Sequence, residues 1–210
     1  ERVLSAYGVP TPRVELARTA EEAAALAREL GFPVALKVAS PDISHKSDVG
    51  GVLLNLGDES AVSDGFMTVL RNARAARPEA DVWGAHVQRM IPAGQDVIVG
   101  AVQDPQFGAM IMVGSGGIEV EAVRDVAFAL APLSREEADY LLDSTWAGRK
   151  LRGYRNLLPA DRDAVIDAML RLGQLAADFP ELAEIEINPL RVLPEGEGTV
   201  ALDVRAKVVP

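Results

Sequence analysis

The chain has 210 residues, 49% of them hydrophobic, and a formal net charge of −10. That is enough apolar material for one sizeable or two-lobed domain. The acidic balance lacks the basic footprint of a nucleic-acid binder and fits poorly with an anionic membrane surface, and the absence of cysteine excludes disulfides, thiolate zinc sites and a cysteine nucleophile.

No apolar run approaches the roughly 18–20 residues of a membrane span, and no signal peptide is present, so a cytoplasmic location is expected. The chain opens on Glu1 rather than Met, which suggests a piece of something longer.

Thr19-Ala20-Glu21-Glu22 has the form of a capping box. The Ala- and Leu-rich helix it opens should run to Leu30, with Gly31 just past its end. VALKVAS follows as a short strand with Val34, Leu36 and Val38 on one face. After the polar stretch SPDISHKSDVGG (40–51), residues 51–56 read as another strand. Residues 60–76 read as a helix with Val62, Phe66, Val69 and Leu70 on one stripe. Three strand candidates come next, at 81–90, 95–104 and 107–114, separated by turn-forming residues. GSGGIEVE (114–121) is a glycine loop followed by a possible strand. Ser134-Arg135-Glu136-Glu137 is a second capping box, opening a helix to about Trp146, and 160–178 is a long amphipathic helix. The end is a hairpin: EIEINPLRVL, the turn PEGEG, then TVALDVRAKV. Without a regular βαβ alternation, the fold class is α+β rather than a doubly wound parallel sheet.

In the hairpin, Glu184, Glu186 and Asn188 alternate along one face, and Asp203, Arg205 and Lys207 along one face of the partner strand. Apolar faces must match across the pair, because a slip of one residue would invert one strand. Glu186, Asn188 and Asp203 therefore share a polar face, and a turn centred between Glu195 and Gly196 sets Asn188 opposite Asp203. Hard oxygens so arranged suit Mg2+, which takes one or two carboxylates plus substrate phosphates. A sheet face that is polar only because it meets solvent has the same pattern.

Lys37 shares a strand face with the small residues Ala35 and Ala39, where a lysine can hold a phosphate as a point charge or simply snorkel to solvent. Gly50-Gly51 and Gly114-Ser115-Gly116-Gly117 could let backbone amides approach an anion, although neither is a P-loop or a dinucleotide fingerprint. His45, one of two histidines, lies among Asp42, Ser44, Lys46 and Asp48 in a polar loop, where an ordinary solvated histidine is the alternative to a functional one. His86, inside a strand pattern, reads as structural.

GFPVALKVASPDISHKSDVGGVLLNL, QDVIVGAVQDPQFGAMIMVGSGGIEVE and EIEINPLRVL…VALDVRAKV, in this order, resemble the ATP-grasp domain of nucleotide-diphosphate-forming acyl-CoA synthetases. That group includes the ADP-forming acetate–CoA ligases and, more distantly, the succinyl-CoA synthetase β subunit. The resemblance spans the whole chain and implies a single ATP-grasp domain over 1–210. Its smaller lobe would cover about 15–88, and its larger lobe about 90–210 plus the N-terminal segment, the two gripping a nucleotide between antiparallel sheets. It implies ATP or ADP and Mg2+ as cofactors. By resemblance, Lys37 contacts the nucleotide phosphates. Val87, Gln88, Arg89 and Met90 form an inter-lobe hinge whose backbone meets adenine, and Asp96 faces the ribose. Gly116 and Gly117 lie near the phosphates, and Asn188 and Asp203 are magnesium ligands. Glu186 helps with the metal or orients a phosphohistidine.

The resemblance makes His45 a phosphoryl carrier. A neutral imidazole is available near pH 7, and one ring nitrogen can attack phosphorus while the other donates to an orienting group. A flexible loop would let it move between sites. The implied reaction is acid + CoA + ATP to and from acyl-CoA + ADP + phosphate. The partner it requires is a CoA-binding Rossmann-like domain or α subunit that carries a second histidine and receives the carboxylic acid. Three positions depart from the family pattern. Asp96 stands where Glu is usual, Arg89 sits where acidic or neutral residues are common, and Ala129 replaces a common basic residue. Competing readings are a regulatory, ligand-sensing ATP-grasp domain of a synthetase-like protein acetyltransferase, a carboxylate–amine ligase, for which a carrier histidine has no use, and a purely structural module.

Overall fold

The computed structural model describes residues 2–117 and 125–209. The chain forms two compact units. One is Pro12–Ile91, and the other joins Glu1–Thr11 to Pro92–Pro210.

The Pro12–Ile91 unit holds β1 (Val14–Ala17), α2 (Ala20–Leu30), β2 (Val34–Ala39), β3 (Val52–Leu56), α3 (Glu59–Ala76) and β4 (Gly84–Arg89), the short α1 (Arg2–Ala6) lying before it in the other unit. Its antiparallel sheet has the order β1-β4-β2-β3. Helix α2 has the bounds its sequence dictates. Thr19 Oγ1 accepts from the Glu22 N–H, and Gly31 ends the helix at φ 86°, in the left-handed region open to glycine. The expected box is not reciprocal, however. The Glu22 carboxylate accepts from the Arg18 N–H, one residue further out than Thr19. Alternation along β2 sends Val34 and Leu36 into a core with Ala17, Ala85, Val87 and the buried stripe Val62, Phe66, Val69 and Leu70 of α3. Ala35, Lys37 and Ala39 take the other face, opposite Gln88, His86 and Gly84 of β4.

The second unit holds β5 (Gln95–Asp104), β6 (Gly108–Ser115), β7 (Val126–Leu130), α4 (Arg135–Ser144), α5 (Trp146–Leu151), α6 (Arg162–Asp178), β8 (Leu182–Val192), β9 (Thr199–Ala201) and β10 (Val204–Val208). Its antiparallel sheet runs β10-β8-β5-β6-β7, with β9 also on β8. Val99, Ala101, Ile111, Val113, Ile185 and Ile187 belong to one core with Leu142, Leu151, Met169, Leu172 and Leu175 of the helices. The possible strand after Gly117 falls on 118–124, outside the described residues.

One feature departs from the sequence reading, and β7, β1 and α1 are elements it did not include. The helix opened by Ser134 stops at Ser144, where Thr145 turns extended and serves as both the end cap of α4 and the N-cap of α5. Gly148 packs there so closely that a Cβ would lie 1.9 Å from the Leu142 carbonyl oxygen. Strand β7 has inverted polarity. Ala127 and Ala129 pack against the core, whereas Val126, Phe128 and Leu130 are exposed. Position 129 therefore faces the helix layer, not the opposite face of the sheet that carries Glu184 and Glu186. Strand β1 and helix α1 are too short to show a period.

The terminal hairpin has the expected register. Ile187 pairs with Val204 and Glu186 with Arg205, Leu190 pairs with Ala201, and the Asn188 N–H donates to the Asp203 carbonyl at 3.0 Å.

Candidate functional site

In the Pro12–Ile91 unit, Lys37 stands directly opposite His86 on one side and Val52 on the other. Side chains of directly opposed residues lie on one face, so the two polar groups are neighbours there. Val87 and Gln88 sit inside β4 with β1 on one edge and β2 on the other, and the Val87 side chain is in the core. Pairing with β1 reaches only to Gln88, opposite Val14. Arg89, opposite Val34, is exposed, and the Met90 N–H donates to the Pro33 carbonyl at 2.9 Å. Of the four positions expected to form a hinge, Val87 and Gln88 are thus ladder residues, and Arg89 and Met90 lie where the ladder gives out.

His45 is exposed, but its loop is tethered rather than loose. Ile43 is buried with Val38 and Ala73, and Val49 packs against the same cluster. The Asp42 carboxylate accepts from the Asp81 N–H at 2.7 Å, and the Asn72 side-chain amide donates to the Gly50 carbonyl at 3.0 Å. The Gly51 and Gly50 N–H groups donate to the carbonyls of Lys46 and Ser47 at 2.8 and 3.0 Å. This corrects one expectation. The glycine pair does not aim its amides at an anion; it closes the loop, and a Cβ on Gly51 would come within 2.6 Å of Val38 Cγ1. The segment forms a closed turn, held at its two ends, that presents His45 at its surface.

In the second unit, one network joins Asp96, Gly116, Gly117, Asn188 and Asp203. The Gly116 N–H donates to the Asp96 carbonyl at 3.1 Å, and the Gly117 N–H to Asn188 Oδ1 at 2.9 Å. Glycine is required at 116, where a Cβ would lie 2.3 Å from the Val97 carbonyl carbon, and favoured at 117, where φ is +65°. Gly94, Gln95, Asp96, Gly116, Gly117, Lys150 and Leu157 line a recess of about 240 Å3. Glu186 stands between Gly100 and Arg205 and lines a recess of about 200 Å3 with Glu184, Arg205, Ala206 and Lys207.

The donor set fits magnesium. Asn188 and Asp203 are adjacent across the hairpin and offer hard oxygens, and an amide oxygen that accepts one N–H keeps a second lone pair. Among the described residues no group of three or more His, Cys, Asp or Glu is placed to hold a metal. The set therefore suits an ion that completes its shell with phosphate and water, rather than one caged by protein.

Sequence reasoning missed Arg191 and Lys150. Arg191 Nε and Nη2 donate to the two Asp96 carboxylate oxygens at 2.5 and 3.1 Å, and Nη1 donates to the Pro92 carbonyl at 3.1 Å. The pairing of β5 with β8 shifts register between Val97 and Val99. Below the shift Ile185 and Ile187 are buried; beyond it Leu190 and Val192 are. The strand thus changes which parity faces the core, and Arg191 turns to the side of Asp96. Strict alternation from Ile185 and Ile187 would have sent Arg191 inward. Asp125, also unread, is a structural hub. Its carboxylate accepts from the N–H groups of Trp146 and Ala147 and from the Ser115 hydroxyl, tying the end of β6 to the start of α5.

A family model for the ATP-grasp domain matches residues 1–208. The β subunit of acetate–CoA ligase [ADP-forming] I from Pyrococcus furiosus is 40% identical over 205 residues, 98% of this chain and 88% of that subunit. The chain belongs to the ATP-grasp domain family, on the branch of the ADP-forming acid–CoA ligases. Among solved structures it is similar to dinucleotide-forming acetyl-coenzyme A synthetase 1 of Ca. Korarchaeum cryptofilum in complex with coenzyme A, Ca-AMPCP and HgCl+, with a TM-score of 0.95 and 39% identity over 99% of this chain and 90% of that one. Another structure of that enzyme holds coenzyme A and Mg-AMPPCP, with its phosphohistidine segment pointing towards the nucleotide binding site. It gives a TM-score of 0.84 and 37% identity, covering 98% of this chain and 88% of that one. Of several longer relatives the chain spans 29%. No helix among the described residues is long and apolar enough to cross a membrane.

Proposed function

We propose that this chain is the nucleotide-binding, phosphoryl-transferring part of an ADP-forming acid–CoA ligase, organised as one ATP-grasp domain with a smaller lobe over about 15–88 and a larger lobe over about 90–210 plus the N-terminal segment. The observation that carries the reading is His45, exposed at the surface of an anchored turn in a chain 37% identical to a synthetase described with a phosphohistidine segment. A ligase that passed the phosphoryl group straight to its acid would have no use for it.

In the direction of ATP synthesis, a β-phosphate oxygen of ADP attacks the phosphorus on His45. The P–N bond breaks, and the imidazole keeps the electron pair and returns neutral. In the other direction the imidazole nitrogen attacks the γ-phosphorus and ADP leaves. Lys37 neutralises phosphate charge, Glu186 orients the imidazole, Asp96 accepts from the ribose, and the backbone of Val87–Met90 takes the adenine edge. Gly116 and Gly117 shape the ground beside the phosphates. Asn188, Asp203 and Glu186 would hold Mg2+, which would supply charge screening for the transferring group. The acyl-CoA half of the reaction belongs to a partner subunit or domain, CoA-binding and carrying the second histidine, in the cytoplasm.

The test is phosphoryl labelling. The protein is incubated with γ-³²P-ATP and Mg2+, and acid-labile, base-stable phosphate is counted in parent and His45→Ala. Label in the parent alone is the expected result. Absence of label in both, with the CoA-binding partner supplied, removes the carrier role.

A further inference from the structure

Asp96 is proposed above to meet the ribose, yet an aspartate is short and an unsupported carboxylate on a strand swings among rotamers. In this chain it is not unsupported. Arg191 grips both carboxylate oxygens in a fork, at 2.5 and 3.1 Å, and with its remaining Nη1 holds the Pro92 carbonyl at 3.1 Å. The two side chains are only 21% and 28% exposed, and Asp96 pairs with Arg191 across the β5–β8 ladder. The Asp96 carbonyl is pinned by the Gly116 N–H at 3.1 Å, and a Cβ on Gly117 would lie 3.4 Å from Asp96 Oδ2. Backbone, carboxylate plane and the approach from Pro92 are therefore all fixed around one point on the wall of the 240 Å3 recess.

A planar guanidinium fork uses one lone pair of each carboxylate oxygen and leaves one on the outer side of each, the two diverging. One of these is the acceptor for a ribose hydroxyl. We infer that Arg191 is a positioning residue for the nucleotide: it sets the Asp96 carboxylate so that a free lone pair meets a ribose hydroxyl, and without it the site loses its ability to tell a ribonucleotide from one lacking the ribose hydroxyls. This rests on the proposed ribose role of Asp96.

The experiment measures the affinity of the complete synthetase for ADP and for 2′,3′-dideoxy-ADP, in the parent, Asp96→Asn, Arg191→Met and Arg191→Lys, with melting temperatures alongside. A site built to pair a hydroxyl discriminates strongly against its absence. The expected result is a ratio of the two affinities that falls about 10-fold in Asp96→Asn and by a similar factor in Arg191→Met, with Arg191→Lys, which keeps the charge but not the fork, in between. A merely structural arginine would weaken both ligands alike and leave the ratio at its parent value; that result, with Asp96→Asn lowering the ratio, overturns the positioning role and spares the ribose reading. An unchanged ratio in Asp96→Asn overturns both. Should Arg191→Met fail to fold, Arg191→Lys decides: a full parent ratio there overturns the requirement for the fork.

Discussion

Asn188 and Gly117 are joined by a 2.9 Å hydrogen bond from the glycine N–H to the asparagine Oδ1, while the Asn188 N–H holds the Asp203 carbonyl. One residue thus ties the glycine loop to the terminal hairpin. The backbone register does not need either side chain, because Leu202, Val204 and Ala206 pair through main-chain groups.

The two side chains should therefore separate chemistry from stability. Asp203→Asn keeps shape and removes a charge. It is expected to leave the melting temperature nearly unchanged and to weaken nucleotide affinity in Mg2+ by about 10-fold or more, on the scale seen when metal sites lose support, while affinity measured in EDTA stays at its parent value. Asn188→Ala should weaken affinity in the same way and, because it also strands the Gly117 N–H, lower the melting temperature as well. Calorimetric titration with and without Mg2+ checks both. An equal loss in EDTA would mean that the pair is not a metal site.

His45 makes a different prediction, because it is exposed and its turn is held by Ile43, Asp42, Gly50 and Gly51. His45→Asn should change stability by no more than about 0.5 kcal/mol and leave nucleotide binding intact, while abolishing phosphoenzyme and overall turnover. Urea unfolding and label incorporation are the measurements. A large loss of stability would contradict the tethering described above.

These residues also show what the sequence could and could not disclose. The hairpin register was legible because two strands with opposed alternation and a short turn admit few pairings, and one of them matches Ile187 to Val204. Helix α2 was legible because Thr19 and Gly31 mark its two ends. Arg191 was not, because its place depends on a register shift against a strand about a hundred residues away. Strand β7 escaped because its large apolar side chains point away from the core and its alanines toward it. The tethers of the His45 turn reach Asn72 and Asp81, contacts that no local pattern encodes.

Gly51 tests how much the closed turn matters. Its Cβ would lie 2.6 Å from Val38 Cγ1 and 3.0 Å from the Lys46 carbonyl oxygen, so Gly51→Ala must push the turn off β2. Overpacking of this kind costs about 1–3 kcal/mol. The variant is expected to lose that much in urea unfolding with an unchanged m-value, and to incorporate label more slowly than the parent because His45 is presented from a displaced turn. Full stability in Gly51→Ala would show that the turn yields freely.

Asp125 carries the pH prediction. Burial works against its ionisation, but the N–H groups of Trp146 and Ala147, the Ser115 hydroxyl and the nearby Arg149 outweigh it and hold the carboxyl below its ordinary range. A carboxylate whose folded pKa is depressed stabilises the fold at all pH values above its unfolded pKa, near 3.9, and that contribution fades as pH falls through the folded value. Asp125→Asn turns an amide N–H2 toward donors that need an acceptor, which costs about 1–3 kcal/mol at pH 7. Urea unfolding of parent and variant at pH 7, 5 and 3 should show a gap that is constant from pH 7 to 5 and narrower at pH 3, below the unfolded pKa, where the unfolded parent takes up a proton that the folded carboxylate resists and the variant has no such proton to bind. A gap of the same size at pH 3 as at pH 7 would place the worth of Asp125 in its shape rather than its charge.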